Sequence, residues 1–286
     1  MTAKLLSGRA IAETVREELR AMAVAYEARH GRPAGLAVVT VGAQPASDVY
    51  VRQLLREAER IGVRGELVAL PDDIDDDGLR AGLKALNADD RVQGILAQAP
   101  LPPHLSARVV AEVMSPRKDV DGISLRSAGN LFLRYPSFVP ATCAAVVELL
   151  DRYEIPLAGQ RVTIVGASNT VGKPLAFMLL GRDATVTVCH IHTRAVSQWT
   201  RQSDIVIVAV GKANLLTADM VRPGVTVVDV GINVTAEGGI VGDVAFAEVA
   251  RVAGAISPTP GGVGPLTPLM ALKQLLQADT LWSLDS

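Results

Sequence analysis

The stretch Arg161-Val-Thr-Ile-Val-Gly166-Ala-Ser-Asn-Thr-Val-Gly172-Lys-Pro-Leu-Ala-Phe-Met-Leu-Leu180 decides the fold. It reads as a buried strand, a glycine turn and an apolar helix. A helix that opens directly after a strand aims its free N–H groups and positive dipole end into the turn. Glycines there let the backbone approach a phosphate closely. The usual dinucleotide fingerprint is G-x-G-x-x-G, whereas this turn places Gly166, Ser168 and Gly172 at the equivalent points. A tight strand-to-helix turn with no ligand has the same local pattern, so the reading needs support from elsewhere in the chain.

Strand-like and helix-like segments alternate outward from this turn. On its C-terminal side, strands are expected at Thr185–Cys189, Ile205–Val210, Val225–Val230 and Ala255–Ser257. Helices are expected near Gly172–Leu180, Val196–Arg201, Phe246–Ala253 and Pro268–Ala278. On its N-terminal side, strands are expected at Leu36–Val41, Glu66–Leu70 and Gln93–Gln98, the last ended by Pro100-Leu-Pro-Pro103. Helices follow at Ser47–Ile61, Asp77–Leu86 and Ser106–Met114. Ser115–Pro140 reads as loop, and Thr142–Tyr153 as a helix bridging to the second half. This order predicts an α/β fold: two three-layer α/β domains with parallel sheets, the second Rossmann-like, with a cleft between them. The expected boundaries are 1–141 plus 267–286 for one domain and 142–266 for the other.

Bulk properties narrow the function. The 286 residues carry 28 basic and 30 acidic side chains, a net charge of −2, and only 3% aromatics. That offers neither a basic field nor stacking platforms for nucleic acid. No apolar run reaches membrane-spanning length, and the N-terminus lacks the apolar core of a signal peptide. Cys143 and Cys189 match no disulfide framework or zinc spacing, which fits a reducing cytoplasm. The four histidines show no metal-ligand spacing, so no metal site is expected. Asp73–Gly78 copies the start of a calcium loop, but its twelfth position is Lys84 rather than a bidentate glutamate. It reads as a solvated turn before a helix N-terminus.

In a parallel sheet, loops leaving the carboxyl ends of strands converge on one crevice. Gln98 and the Gly42–Ser47 loop lie at such ends in the first half. Gly166, Gly211 and Gly231 do so in the second. The expected site therefore faces both halves.

Several further segments accompany these. They are Tyr50-Val51-Arg52-Gln53-Leu54-Leu55-Arg56, Gln98-Ala-Pro100-Leu101-Pro102, Lys118-Asp-Val-Asp121-Gly122, Val230-Gly231-Ile-Asn233, Gly242-Asp243 and Ser257-Pro-Thr-Pro260-Gly-Gly-Val-Gly264-Pro265. With Gly166-Ala-Ser-Asn-Thr-Val-Gly172-Lys-Pro and in this order, the chain resembles the methylenetetrahydrofolate dehydrogenase/cyclohydrolase family over nearly its whole length. The resemblance implies a homodimer with a folate-binding catalytic domain and a Rossmann-type NAD(P)-binding domain. It also implies oxidation of 5,10-methylenetetrahydrofolate to the methenyl form, which many members then hydrolyse to 10-formyltetrahydrofolate.

Carried over by position, Tyr50 matches the tyrosine that stacks on the folate, Gln98 the glutamine that bonds the catalytic lysine, and Asp121 the aspartate that holds the pterin. A carboxylate accepts two parallel N–H donors, so the last role suits its residue type. These three are the catalytic candidates. Val51, Pro100, Leu101, Gly262, Val263 and Pro265 complete the substrate-side set. Each of the three also has a plain structural reading: a helix-surface tyrosine, a polar strand end, a turn aspartate. The cofactor-side candidates are Gly166, Ala167, Ser168, Thr170, Val171, Gly172, His192, Arg194, Val210, Gly211, Gly231, Ile232 and Asn233.

Two segments depart from the family. Its catalytic lysine stands four residues after the tyrosine, where this chain has Leu54. Leucine cannot exchange a proton, and general acid–base catalysis needs a titratable group within reach. Arg52 and Arg56 each lie about 200° around the helix from Leu54, and arginine stays charged. Hydride transfer asks mainly for orientation and exclusion of water. The expectation is a dehydrogenase with cyclohydrolase activity lost or very weak. The alternatives are a bifunctional enzyme using water around Gln98 and Asp121, a non-catalytic folate- or dinucleotide-binding paralogue, and a Rossmann oxidoreductase for an unrelated substrate. The second departure is Pro140-Ala141-Thr142-Cys143 in place of the family's Pro-Cys-Thr-Pro; Thr142 is expected to cap the bridging helix. Nearby, Ile123–Asn130 keeps Gly129-Asn130 but alters the preceding residues; both changes touch the pterin end and leave a modified folate or another reduced pterin open as substrate.

NAD sites place an acid at the end of the strand after the glycine turn. Here that strand leads into His190-Ile191-His192-Thr193-Arg194, with no acid. His192 and Arg194 can instead meet a 2′-phosphate, which favours NADP, with NAD the second choice.

Overall fold

The computed structural model describes residues 3–42 and 45–283, apart from the side chains of 45–47 and 283. Ala43 and Gln44, in the loop expected beside the site, lie outside the described residues. The chain forms two compact units. One contains Glu13–Ala141 and Pro268–Ser286, the other Met1–Ala12 and Thr142–Thr267. Elements are numbered along the chain from β1 (Lys4–Leu5) and α1 (Gly8–His30).

The three-stranded unit continues with β2 (Gly35–Val41), α2 (Pro45–Ile61), β3 (Arg64–Leu70), α3 (Asp76–Ala88), β4 (Gly94–Ala97), α4 (Ala107–Val113) and α5 (Leu125–Leu133). Its sheet is parallel, in the order β3-β2-β4. The central strand β2 is buried almost throughout, as a parallel strand covered on both faces should be. Its alternate residues Ala37, Val39 and Val41 meet Leu79 and Leu83 of α3 and Val109 and Val110 of α4. A Cβ on Gly94 would fall 2.3 Å from Leu275 and 2.5 Å from Val120, so β4 needs glycine there to let other elements close on it. Asp75 caps α3 by accepting from the Gly78 amide at 2.8 Å. The acidic run is thus a helix start.

The six-stranded unit continues with α6 (Ala141–Arg152), β5 (Arg161–Val165), α7 (Gly172–Leu180), β6 (Thr185–Cys189), α8 (Val196–Thr200), β7 (Ile205–Val208), β8 (Thr226–Asp229), β9 (Asn233–Val234), β10 (Ile240–Val241), α9 (Phe246–Val249) and β11 (Ala255–Ile256). Its sheet is wholly parallel, in the order β1-β11-β8-β7-β5-β6. Counted from β5, that is 2-1-3-4-5 with β1 added at the far edge. The strand order reverses between β5 and β7, where an open α/β sheet forms its ligand crevice. Val206, Val208, Val227, Leu216 and Val249 fill one core of this unit. The last helix, α10 (Thr267–Ser283), falls with the three-stranded unit beyond Thr267. Among the described residues no helix is long and apolar enough to cross a membrane.

Several features differ from expectation, among them the short hairpin β9–β10, which has no expected counterpart. The first twelve residues belong to the six-stranded unit, because Lys4 and Leu5 pair with Ala255 and Ile256. Helix α1 has no counterpart among the expected elements, although Ala12, Val15, Leu19, Ala23 and Tyr26 form a buried stripe at helical spacing. Helix α5 lies inside the segment read as loop, with Ser124 at its N-cap accepting from the Ser127 amide. Helix α6 starts at Ala141, so Thr142 sits in its first turn and is not its cap.

Candidate active site

In the three-stranded unit, the substrate-side candidates stand on α2, at the end of β4 and before α5. The apolar stripe Val51, Leu54, Ala58 and Ile61 faces the core, and Leu54 is 0% exposed. Tyr50 precedes that stripe and is partly buried. Desolvation by burial, with the negative charge of Asp121 second, raises its phenol far above the ordinary value. Tyr50 therefore stays protonated and acts as a ring with a neutral hydroxyl. Arg52 and Arg56 are exposed, on the other side of α2 from Leu54.

Asp121 accepts the Ala141 amide on Oδ1 at 2.9 Å. Among the described residues its Oδ2 has no partner. Burial pushes the carboxyl up to about 6, the Ala141 hydrogen bond opposes this, and Asp119 adds to it. Asp119 itself is structural: it accepts from Ile123 N at 3.0 Å, Ser124 N at 2.8 Å and Ser127 Oγ at 2.7 Å. Lys118 is structural too, donating to the carbonyls of Leu86 and Asp89 at 3.1 and 2.8 Å. Gln98 closes β4, with its amide donating to Val39 O at 2.9 Å and its side chain to Ala99 O at 2.7 Å. The next peptide, Ala99–Pro100, is cis. Pro100 is exposed, and Leu101 packs against the sheet core.

In the six-stranded unit, the glycine turn leaves β5 at the reversal point. Gly166 has φ +130°, and a Cβ there would lie 2.2 Å from Ala209 O in the segment after β7. A Cβ on Gly172 would lie 1.9 Å from Gly166 O. Both positions exclude any side chain. Ser168 Oγ accepts the amide of Val171 at 3.0 Å and of Gly172 at 3.5 Å. Among the described residues no partner exists for the amides of Ala167, Ser168, Asn169 and Thr170. Four unpaired amides in a glycine cradle at the start of α7 fit a pyrophosphate. Cys143 Sγ lies 3.3 Å from Val171 O behind the turn.

After β6, the amide of His190 donates to Thr193 Oγ1 at 2.8 Å, and His192 N to His190 Nδ1 at 3.1 Å. His192 and Arg194 stand exposed on this turn. Val210 and Gly211 follow β7; Gly231, Ile232 and Asn233 follow β8. Two buried carboxylates hold these segments. Asp243 accepts from Val210, Gly211, Lys212 and Asn233. Asp229 accepts from Gly231, Asp243 and Val244 amides at 3.0–3.1 Å, and burial raises it to about 6. The Gly242-Asp243 pair carries no local sequence signal for this role of the aspartate. The substrate-side loop Gly262, Val263 and Pro265 also lies in this unit, with Gly262 N donating to Pro258 O at 2.7 Å. Gly262 and Val263 are buried and Pro265 is partly exposed.

Residues 6–121 match the catalytic domain, and residues 140–281 the NAD(P)-binding domain, described for tetrahydrofolate dehydrogenase/cyclohydrolase. The chain belongs to the tetrahydrofolate dehydrogenase/cyclohydrolase family. It is an oxidoreductase of one-carbon folate chemistry with a methylenetetrahydrofolate dehydrogenase role. Among family relatives, the Bifunctional protein FolD of Burkholderia ambifaria is 48% identical over 278 residues, 97% of each chain. The bifunctional FolD structure from Campylobacter jejuni superposes with TM-score 0.94 at 43% identity, covering 97% of this chain and 99% of that one. The FolD of Trypanosoma brucei, solved with NADP and an inhibitor, gives TM-score 0.93 at 34% identity over all of both chains.

Proposed function

We propose that this protein is an NADP-preferring methylenetetrahydrofolate dehydrogenase with little or no cyclohydrolase activity. The burial of Leu54 carries the second half. The position to which the family resemblance assigns a lysine is here part of an apolar stripe with no exposed surface. No proton donor of α2 takes over, since Arg52 and Arg56 lie on its other side. The dehydrogenase half needs no such group.

Tyr50 supplies a neutral aromatic face for the folate, and the unpartnered Oδ2 of Asp121 accepts donors of the pterin. Gln98, Val51, Pro100, Leu101, Gly262, Val263 and Pro265 are proposed as the remaining substrate-side residues. Gly166, Ala167, Ser168, Thr170, Val171 and Gly172 form the pyrophosphate cradle. Val210, Gly211, Gly231, Ile232 and Asn233 hold the other end of the cofactor. His192 and Arg194, exposed where an NAD site carries an acid, take the 2′-phosphate. When bound, NADP supplies the hydride acceptor. The NADP in the Trypanosoma brucei relative supports this cofactor choice.

The protein is further proposed to be a cytoplasmic homodimer. Its cysteines are both free and buried. The antiparallel pair β9–β10 exposes Val234 and Ile240, beside exposed Ile232, an apolar surface of the kind that a second copy would cover.

The deciding assay follows methenyl formation from methylenetetrahydrofolate with NADP and with NAD. Hydrolysis of methenyltetrahydrofolate is measured separately. Turnover with NADP and hydrolysis at the spontaneous rate are expected. Fast hydrolysis would support the second reading, a bifunctional enzyme, which the names of the relatives favour. No turnover with either cofactor would sink the dehydrogenase reading.

A further inference from the structure

The carboxylate of Asp243 is fully buried, yet among the described residues it forms no ion pair. Three consecutive amides converge on it: Val210 at 2.6 Å and Gly211 at 3.0 Å on Oδ2, and Lys212 at 2.8 Å on Oδ1. Asn233 Nδ2 donates to Oδ1 as well, at 2.9 Å. Successive amides converging in this way make an anion-binding nest. Here the chain fills the nest with an anion of its own, and the four donors satisfy a charge that burial would otherwise penalise heavily.

The same carboxylate fixes the segment after β8. A Cβ on Gly231 would fall 2.1–2.5 Å from its atoms, so Gly231 stays where it is only as glycine. The Gly231 amide is taken by Asp229, whose own amide donates to Ser257 Oγ at 2.8 Å. The amides of Val210, Gly211, Lys212 and Gly231 are therefore all taken by carboxylates within the unit. Among the described residues the carbonyls of Val210, Gly211 and Lys212 have no partner. The glycine turn has the opposite character, with unpartnered amides at Ala167–Thr170.

We propose that Asp243 is a positioning residue for the cofactor. By occupying the nest it converts the segment after β7 from an anion-binding loop into a hydrogen-bond-accepting one. The pyrophosphate is left to Ala167–Thr170, and the 2′-phosphate to the turn after β6. The segments after β7 and β8 receive groups that donate, the ribose hydroxyls and the carboxamide of the nicotinamide end. This rests on the reading that the six-stranded unit binds NADP.

The test uses full-length Asp243→Asn and Gly231→Ala. The first replaces one acceptor oxygen with a donor facing amides. The second displaces the carboxylate without removing it. Hydrogen exchange in the free protein is expected to speed up at Val210–Lys212 by about tenfold in both. NADP affinity should fall by about tenfold, while adenosine 2′,5′-bisphosphate, which lacks the nicotinamide end, binds within about twofold of wild type. Equal losses for the two ligands, or no loss for either, would overturn the proposal in favour of a purely structural role. If Asp243→Asn does not fold, Gly231→Ala supplies the same comparison. Wild-type protein that binds neither NADP nor NAD would instead overturn the reading of the unit.

Discussion

Leu54 stands one helical turn beyond Tyr50 on α2, and it has no exposed surface where Tyr50 keeps some. A lysine here must either reach past the stripe or lose its charge, since burial lowers an ammonium pKa. Leu54→Lys is therefore expected to cost on the order of 3 kcal/mol in denaturant unfolding. If it folds, hydrolysis of methenyltetrahydrofolate should rise above the spontaneous rate. A variant that folds and hydrolyses no faster than wild type would show that the leucine is not the cause.

Asp121 gives a pH dependence with a definite sign. Its carboxyl is raised to about 6 from 3.8. Between about pH 4 and 6 the unfolded chain ionises this group while the folded chain keeps it protonated, so stability falls as pH rises through that window. Asp229 shifts in the same direction, so comparing wild type with Asp121→Asn isolates the Asp121 share. In the proposed role the ionised form binds the pterin. The KM for methylenetetrahydrofolate should then climb as pH drops below about 6, with no such inflection in Asp121→Asn.

Gly172→Ala tests the cradle. The added Cβ would meet Gly166 O at 1.9 Å, which forces the turn open. NADP affinity measured by fluorescence titration should drop by at least about tenfold. Unchanged affinity would place the cofactor elsewhere.

A cofactor switch is expected at the turn after β6. Arg194→Ala should raise the KM for NADP by about tenfold and leave that for NAD unchanged. A parallel change in both would remove Arg194 from 2′-phosphate recognition.

Stability of the three-stranded unit depends on a mostly buried ion pair. Glu57, 7% exposed, accepts Arg16 Nε at 2.7 Å and Arg60 Nη1 at 3.0 Å. Arg16→Ala leaves that carboxylate short of donors and should cost about 2–3 kcal/mol by chemical denaturation. Arg16→Lys should recover only part of this, because Arg16 Nη2 also donates to Glu57 Oε1 at 3.3 Å and an ammonium cannot make that two-pronged contact.

Much of this was legible in the sequence where the pattern is local. The glycine turn, α7 and the strands β2 and β5–β8 follow from apolar runs bounded by glycine and proline. Helix α1 carries an equally clear stripe from Ala12 to Tyr26, which sits at helical spacing. Helix α5 hid behind Gly129, Asn130 and Pro136, which read as loop although Ser124 caps it. Strands β1, β9 and β10 are two residues long, too short for periodicity to show. The role of Asp243 had no local signal at all, because its partners are the ends of two other strands. Asp119 and Asp121 are two residues apart, and only the fold separates a loop anchor from a carboxylate with a spare oxygen.

The pairing of Lys4 with Ala255 has a consequence for biosynthesis. Strand β1 is made long before β11, and it has no sheet neighbour until β11 is present. The three-stranded sheet, whose strands are close in sequence, can assemble during translation, but the edge β1–β11 closes only after Ala255 and Ile256 have been made. Pairing across such a separation is slow. An N-terminal truncation that removes β1 should therefore leave the early sheet intact and expose β11 as an unprotected edge, open to pairing with another nascent chain.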